Sequence, residues 1–337
     1  MARNTTAQQR WRRIGLPVAW SVLALVLALF LVSCLSGKPM VAPTVRQYPA
    51  AATAKIAGPP VVPAGNGTLR LLTLNLAHGR KDGFSQILQS GDTIRGHLGD
   101  VADVLRRESP DLVALQEADG PSVWSGNVNH VGILAESAGF GYSIQGAHVA
   151  GAGLSYGTAI LSRRAIEAPV SVTFGPSIPP FPKGFVVGRI RWPGLPGGGV
   201  DVVSVHLDFA RPSVRRAQVE EMVRRLSSRP GPRIILGDFN SEWADEDSAV
   251  RALAKALNLN AWRETADGLD TFPFSERRLD WILISPELEF RDYRVLPDVL
   301  SDHLGVLATI APKTAPPTRT LAAGETARTA GWAPVAP

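Results

Sequence analysis

The chain has 337 residues, 45% of them hydrophobic, enough for one large domain with a sizeable core. Its single cysteine, Cys34, excludes an intrachain disulfide and any cysteine-based metal site. The formal charge of +5 is unevenly placed: residues 1–67 hold seven Lys/Arg and no acid, residues 313–337 carry a net +2, and 68–312 are left at −4, which removes the broad basic face that a strong polyphosphate or nucleic-acid binder needs. In chain order, Arg10, Arg12 and Arg13 come first and precede an uncharged run, Ile14 to Gly37, made mostly of Leu, Val and Ala. It exceeds the roughly 20 residues needed to cross a bilayer and shows no amphipathic period, so a buried core helix is not its reading. The basic flank predicts a cytoplasmic N-terminus and an exported remainder. Two forms of tether remain open, an uncleaved anchor and a signal segment; Leu31-Val32-Ser33-Cys34 resembles a bacterial lipobox, in which the cysteine is lipidated. Either form places the rest of the chain on the extracytoplasmic side of the cell membrane, periplasmic or extracellular.

The chain divides into a basic N-terminus with its apolar segment (1–34), a Pro/Ala-rich tether (35–67), a folded domain (68–312) and a disordered tail (313–337). Within the domain, strands are predicted at 69–74, 112–115, 157–162, 185–191, 200–205, 234–236, 279–284, 288–295 and 304–310. Helices are predicted at 94–107, 131–138, 212–226 and 248–257. Many strands with few helices between them give an α+β or layered α/β domain.

Several apolar strands end in chemistry. Asn75 follows Leu71–Leu74, Glu117 follows Leu112–Gln116, and His206 follows Val202–Val205. Asp238 and Asn240 follow Ile234–Gly237; their i, i+2 spacing puts both on one face if the strand continues. Asp280 precedes Trp281–Ile284, and Ser301-Asp302-His303 precedes the last strand. One polar residue at a strand end is ordinarily a cap or turn; so many at buried strand ends in one domain suggest a site. Glu117 with Asn75 is a hard-oxygen set suited to Mg²⁺ or Mn²⁺. Asp238 can orient or deprotonate water, and two histidines with Asn240 can stabilise an oxyanion. Together they are equipment for metal-assisted phosphoester hydrolysis.

Read together, Leu-Asn (74–75), Leu-Gln-Glu (115–117), Ser-Val-His-Leu (204–207), Gly-Asp-Phe-Asn (237–240), Arg-Leu-Asp-Trp-Ile-Leu (278–283) and Ser-Asp-His (301–303) resemble the endonuclease/exonuclease/phosphatase superfamily. Thr271-Phe272-Pro273 and Arg215-x-x-Gln218 also look familial. The resemblance implies a deoxyribonuclease-like two-sheet β-sandwich flanked by helices. It makes Glu117 the principal metal ligand with Asn75 beside it and Asp302 near the metal. It makes Asp238 the residue that aligns water, and Asn240 and His206 contacts to the phosphate. His303, oriented by Asp280, would stabilise the transition state or protonate the leaving group.

His78 can add to the phosphate site or be an ordinary loop residue. Trp124, Asn127, Asn129 and His130 form a polar-aromatic loop that can select a head group or be plain surface, and His97 and His148 read as structural. The expectation is a membrane-tethered, exported, Mg²⁺-dependent phosphodiesterase acting on phospholipid head groups or small phosphoesters. An exported endonuclease is the alternative, less favoured because the domain is acidic. A non-catalytic binding module is disfavoured by the full set of polar residues. No protein partner is implied.

Overall fold

Period-two alternation sets the layers. In β2 (Leu69–Asn75), Leu72 and Leu74 join one apolar cluster while Leu69 and Leu71 join another. In β9 (Arg233–Asp238), Ile234 and Leu236 share the second cluster with Leu69 and Leu71, and Ile235 turns into a third. Three apolar layers therefore separate four structural ones: helices, sheet, sheet, helices. The computed structural model describes residues 42–48, 67–175 and 181–313.

One sheet has seven strands in the order β1 (Thr44–Gln47), β4 (Tyr142–Gly151), β5 (Leu154–Ser162), β3 (Leu112–Asp119), β2, β13 (Val306–Pro312), β12 (Leu288–Val295). The other has six in the order β10 (Asn260–Ala261), β11 (Asp280–Ile284), β9, β8 (Gly199–His206), β7 (Gly184–Arg191), β6 (Ile166–Thr173). Helix α1 (Gly91–Glu108) and α2 (His130–Ala138) cover the first sheet; α3 (Pro212–Ser227) and α4 (Ala249–Leu257) cover the second. The buried stripe of α1, Ile94, Leu98, Val101 and Leu105, has the spacing of one helix face. The helix begins where Ser90 Oγ accepts the Thr93 N–H at 3.1 Å and ends at Ser109, which turns left-handed at φ 45°.

The predicted helices and strands are present, extended by up to three residues at either end, except β11, which begins one residue later and β13, which begins two later. Four strands were not anticipated. β4 carries Gly146, Ala147 and Gly151, which weaken its β pattern. β6 lies at a sheet edge and accommodates Pro169 where its register with β7 shifts. β10 is two residues long. β1 falls within the stretch read as a tether, and this corrects that reading at 42–48: Thr44–Gln47 pairs antiparallel with β4, and Tyr48 is buried in the first sheet's helix-side core. Among the described residues no helix is long and apolar enough to cross a membrane. The 14–37 run, Cys34 and the tail beyond 313 lie outside the described residues.

Two parallel pairs fix where chemistry collects. β2 pairs with β3, and β8 with β9, so Asn75, His206 and Asp238 end at the same edge of the sandwich. β11 runs antiparallel to β9 and begins there, with Asp280 opposite Asp238.

Candidate active site

The alternation that buries the inter-sheet core also aims the site. Leu71, Ile234, Leu236, Val202 and Ile282 fill the space between the sheets, and Asn75, Asp238, His206 and Asp280 are the in-phase positions at the strand ends. Beneath them a polar layer is fully paired: Gln116 Nε2 donates to Ser204 Oγ at 3.1 Å, which donates to Leu115 O at 3.0 Å. Glu117 is out of phase, and simple alternation would turn it toward the helices. A register shift between Leu115 and Ala118, with Glu117 at φ 48°, re-aims it into the site.

Asp238 sits at the centre. Its Oδ1 accepts the Asn240 N–H at 2.9 Å, and its Oδ2 accepts Asn75 Nδ2 at 3.0 Å. His206 Nε2 and His303 Nε2 lie 3.4 and 3.8 Å from the same Oδ2. His303 Nδ1 is 2.7 Å from Asp280 Oδ2. Burial opposes a charge on His303, but Asp280 and Asp238 outweigh it and raise its pKa to about 10. Burial, with Asp280 nearby, pushes Asp238 up to about 7, against the pull of His303. The site therefore holds an imidazolium acid beside a carboxylate that is a stronger base than an exposed aspartate.

Glu117 is the opposite case. Burial would raise its pKa, yet His78, Lys183 and His206 hold it well below the carboxylate range. Lys183 Nζ lies 3.2 Å from Glu117 Oε1 and 3.3 Å from His206 Nδ1. An ammonium only donates, so His206 Nδ1 accepts and its proton sits on Nε2, facing Asp238. Burial and Lys183 keep the His206 ring neutral, well below its ordinary value.

The remaining candidates divide. Asn240 lines the same cavity, but the strand ends at Asp238: Asn240 is left-handed at φ 49°, and its Nδ2 donates to Leu207 O at 3.1 Å. A turn, not a shared strand face, brings it to Asp238. Asp302 lines the cavity and is held by Arg80. His78 does not line the cavity; this corrects its reading as a phosphate contact. Its Nδ1 bonds Asp119 Oδ1 at 2.7 Å, its Nε2 lies 3.5 Å from Glu117 Oε2, and Trp124 and Tyr156 pack on the ring. The loop read as a head-group selector is structural in the same way. Trp124 Nε1 donates to Asp119 Oδ2 at 2.8 Å, Asn129 caps α2, and buried His130 accepts the Asp119 N–H. His97 bonds the Gly79 carbonyl, and His148 is buried between Thr158 and Thr173, its pKa lowered by burial to about 3.

Sequence reasoning missed Lys183, Arg80, Arg277, Phe209 and Phe272, all of which line the cavity of about 390 Å³ with the predicted residues. Lys183 and Arg80 are lone basic residues in no motif, so nothing local marks them. Phe272 did stand in Thr271-Phe272-Pro273; its ring packs 4.9 Å from that of His303.

Two groups of residues can be weighed as metal ligands. Ligand atoms of Asp238, Asp280 and His303 lie within 4.8 Å of one another. However, His303 Nδ1 carries the proton of its short bond to Asp280, so these three fit an acid–base unit better than an ion site. Glu117 fits a hard cation: it is anionic, partly open to the cavity, and its charge is answered by cationic neighbours. Asn75 Oδ1 accepts only the Ala77 N–H and has a second lone pair; Asp302 adds a carboxylate.

The structure is similar to a Beutenbergia cavernae endonuclease/exonuclease/phosphatase (TM-score 0.57, 20% identity, 73% of this chain and 72% of that one). It is also similar to sphingomyelinase C from Streptomyces griseocarneus (TM-score 0.52, 16% identity, 72% of this chain and 99% of that one). In sequence, 96 residues are 30% identical to a sphingomyelinase of Mycobacterium tuberculosis strain H37Rv, covering 28% of this chain and 19% of that protein's length. The Endonuclease/Exonuclease/phosphatase family model matches residues 72–303, which span both sheets and every residue of the site, and the chain belongs to that family of phosphoester hydrolases.

Proposed function

We propose that the chain is a membrane-tethered, exported phosphodiesterase that uses Mg²⁺ or Mn²⁺ to hydrolyse phospholipid head-group esters or small phosphoesters. The observation that carries the reaction is the Asp280–His303–Asp238 line sharing one cavity with the deprotonated Glu117. Asp238, fixed by Asn75 and the Asn240 N–H, takes a proton from the attacking water. The water oxygen bonds to phosphorus as the bond to the leaving oxygen breaks. His303, held by Asp280, gives its Nε2 proton to that oxygen. The His206 Nε2–H and Lys183 offer donors to the phosphoryl oxygens. Glu117, Asn75 and Asp302 would hold the divalent ion, which when bound neutralises phosphoryl charge as a Lewis acid.

The lipid reading draws support from three sides: the apolar 14–37 run, the acidic domain, and the partial likeness to sphingomyelinases. The test is hydrolysis by the full chain in detergent with Mg²⁺, offered plasmid DNA, sphingomyelin and other phospholipids, and soluble phosphomono- and diesters. Turnover of a phospholipid above the others supports the reading. Preference for DNA overturns the substrate, and hydrolysis of none overturns the reaction.

A further inference from the structure

The ends of the sandwich differ in what they expose. Eight large apolar side chains are exposed among the described residues, and seven of them lie in loops at the site end. Phe84, Ile87 and Leu88 are on the loop after β2, and Phe274 is on the loop that leads into β11. Phe209 follows β8; the other two, Val123 and Val299, are in the loops after β3 and β12. Phe84 is 96% exposed and Phe274 92%. The loops at the opposite end, around 109–111, 163–165, 228–232 and 285–287, expose none. Scattered exposed apolar residues need no explanation, but a set confined to one end, from both sheets, does.

This rim is tied to the catalytic cavity. Arg80, which lines the cavity, donates to Gly83 O at 2.8 Å and accepts through its own carbonyl from Gln89 Nε2 at 2.9 Å, holding the Phe84 loop. Phe274 packs on Phe272, which packs on His303.

The direction of β1 points the same way. Thr44 pairs with Gln145, Gln145 with Ala159, and Ala159 with Leu115, so β1 begins at a level two residues below Glu117. From there it runs away from the site, toward Tyr142. The chain upstream of Thr44 therefore leaves toward the site end. The seven steps from Gly37 to Thr44 span at most about 25 Å, so the apolar 14–37 run cannot lie far from that end.

We propose that the apolar rim of the site docks on a lipid bilayer, and that β1 fixes the domain with its cavity facing the membrane that holds the 14–37 run. Phe84, Leu88 and Phe274 enter the head-group and acyl boundary, a depth of roughly 5–10 Å for such side chains. A head group then meets the cavity without the lipid leaving its leaflet. The proposal rests on the membrane part of the function proposed above, not on which phosphoester is cleaved.

A polarity-sensitive fluorophore tests it. In the full chain with Cys34→Ser, which removes the sole cysteine but keeps the apolar run, Phe84→Cys, Phe274→Cys and Glu287→Cys are labelled one at a time. Each is reconstituted into phosphatidylcholine vesicles and floated. Both rim positions are almost fully exposed, so labelling disturbs no packing. The expected result is a blue shift at 84 and 274, with loss of intensity when spin-labelled phosphatidylcholine is included, and neither change at 287, which is at the opposite end. A chain that floats while all three probes report water overturns the docking and leaves the anchor standing. A chain that does not float overturns both. Hydrolysis is not read, so failure of the proposed reaction is separate from either.

Discussion

His303 Nδ1 and Asp280 Oδ2 lie 2.7 Å apart, and this contact turns the other ring nitrogen toward Asp238. Asp280 thus sets both the tautomer and the charge of His303. Asp280→Asn keeps the shape but offers an amide where a carboxylate stood. Turnover on a soluble phosphodiester should fall by at least about 100-fold, as should that of His303→Ala and Asp238→Ala, the scale of losing an acid–base group. KM should move far less than kcat. Activity within a few-fold of the parent for Asp280→Asn would remove Asp280 from its orienting role.

Glu117 owes its position to an unusual backbone turn and its charge to His78 and Lys183. Chelation with EDTA should abolish activity, and Mg²⁺ or Mn²⁺ should restore it. Glu117→Gln should raise the metal concentration needed for half-maximal rate by more than any other single change. Asp119→Asn acts one step back, through His78, and should raise it about 10-fold, the range for a residue that orients a ligand. A metal titration of Asp119→Asn that overlays the parent would break the chain from Asp119 through His78 to Glu117.

What the sequence made legible follows from where alternation holds. Asn75, His206, Asp238 and Asp280 were readable because each continues the inward phase of its own strand, so a polar type there is conspicuous. Glu117 was readable only from the Leu-Gln-Glu pattern; its phase is wrong, and the bulge that corrects it leaves no trace in hydrophobicity. Asn240 was assigned the right place for the wrong reason, since a left-handed turn stands where strand continuation was assumed. Lys183 and Arg80 reach the cavity from loops distant in sequence, a relation that only tertiary structure creates. The same limit applies to His78: Asn75-Leu76-Ala77-His78 gives its closeness to the site, but Asp119 and two aromatic rings decide that it stands behind Glu117.

Glu108 gives a pH dependence remote from the chemistry. It closes α1 and bonds Arg70 at 2.8 Å and Arg107 at 2.9 Å, with Arg294 also in contact, joining the helix to β2 and β12. Burial alone would raise its pKa; the three guanidinium groups lower it. A carboxylate lowered on folding stabilises above its unfolded value of about 4.3, and the contribution is lost as pH falls through the folded value. Glu108→Gln should therefore cost about 2 kcal/mol at pH 7, and the gap from the parent should close between pH 5 and 3. Urea unfolding at several pH values measures this; a gap independent of pH would show that the ion cluster contributes nothing.

Gly237, inside Gly-Asp-Phe-Asn, is held by backbone and not by chemistry. It pairs with Val205 in the parallel β8–β9 ladder at φ 148°, and a Cβ there would lie 2.0 Å from Val205 O. Carbonyl backbone inside a sheet cannot yield as a flexible side chain would, so the strands must part at the residue before Asp238. Gly237→Ala should cost about 3 kcal/mol or more and lower turnover by displacing Asp238. Gly96, exposed on α1 with nothing within 4 Å of its would-be Cβ, is the matched control. Gly96→Ala should stabilise by about 0.5–1 kcal/mol. Equal unfolding midpoints for the two variants would mean that β8 and β9 do not approach as closely as the site requires, and the placement of Asp238 beside His206 would fail with it.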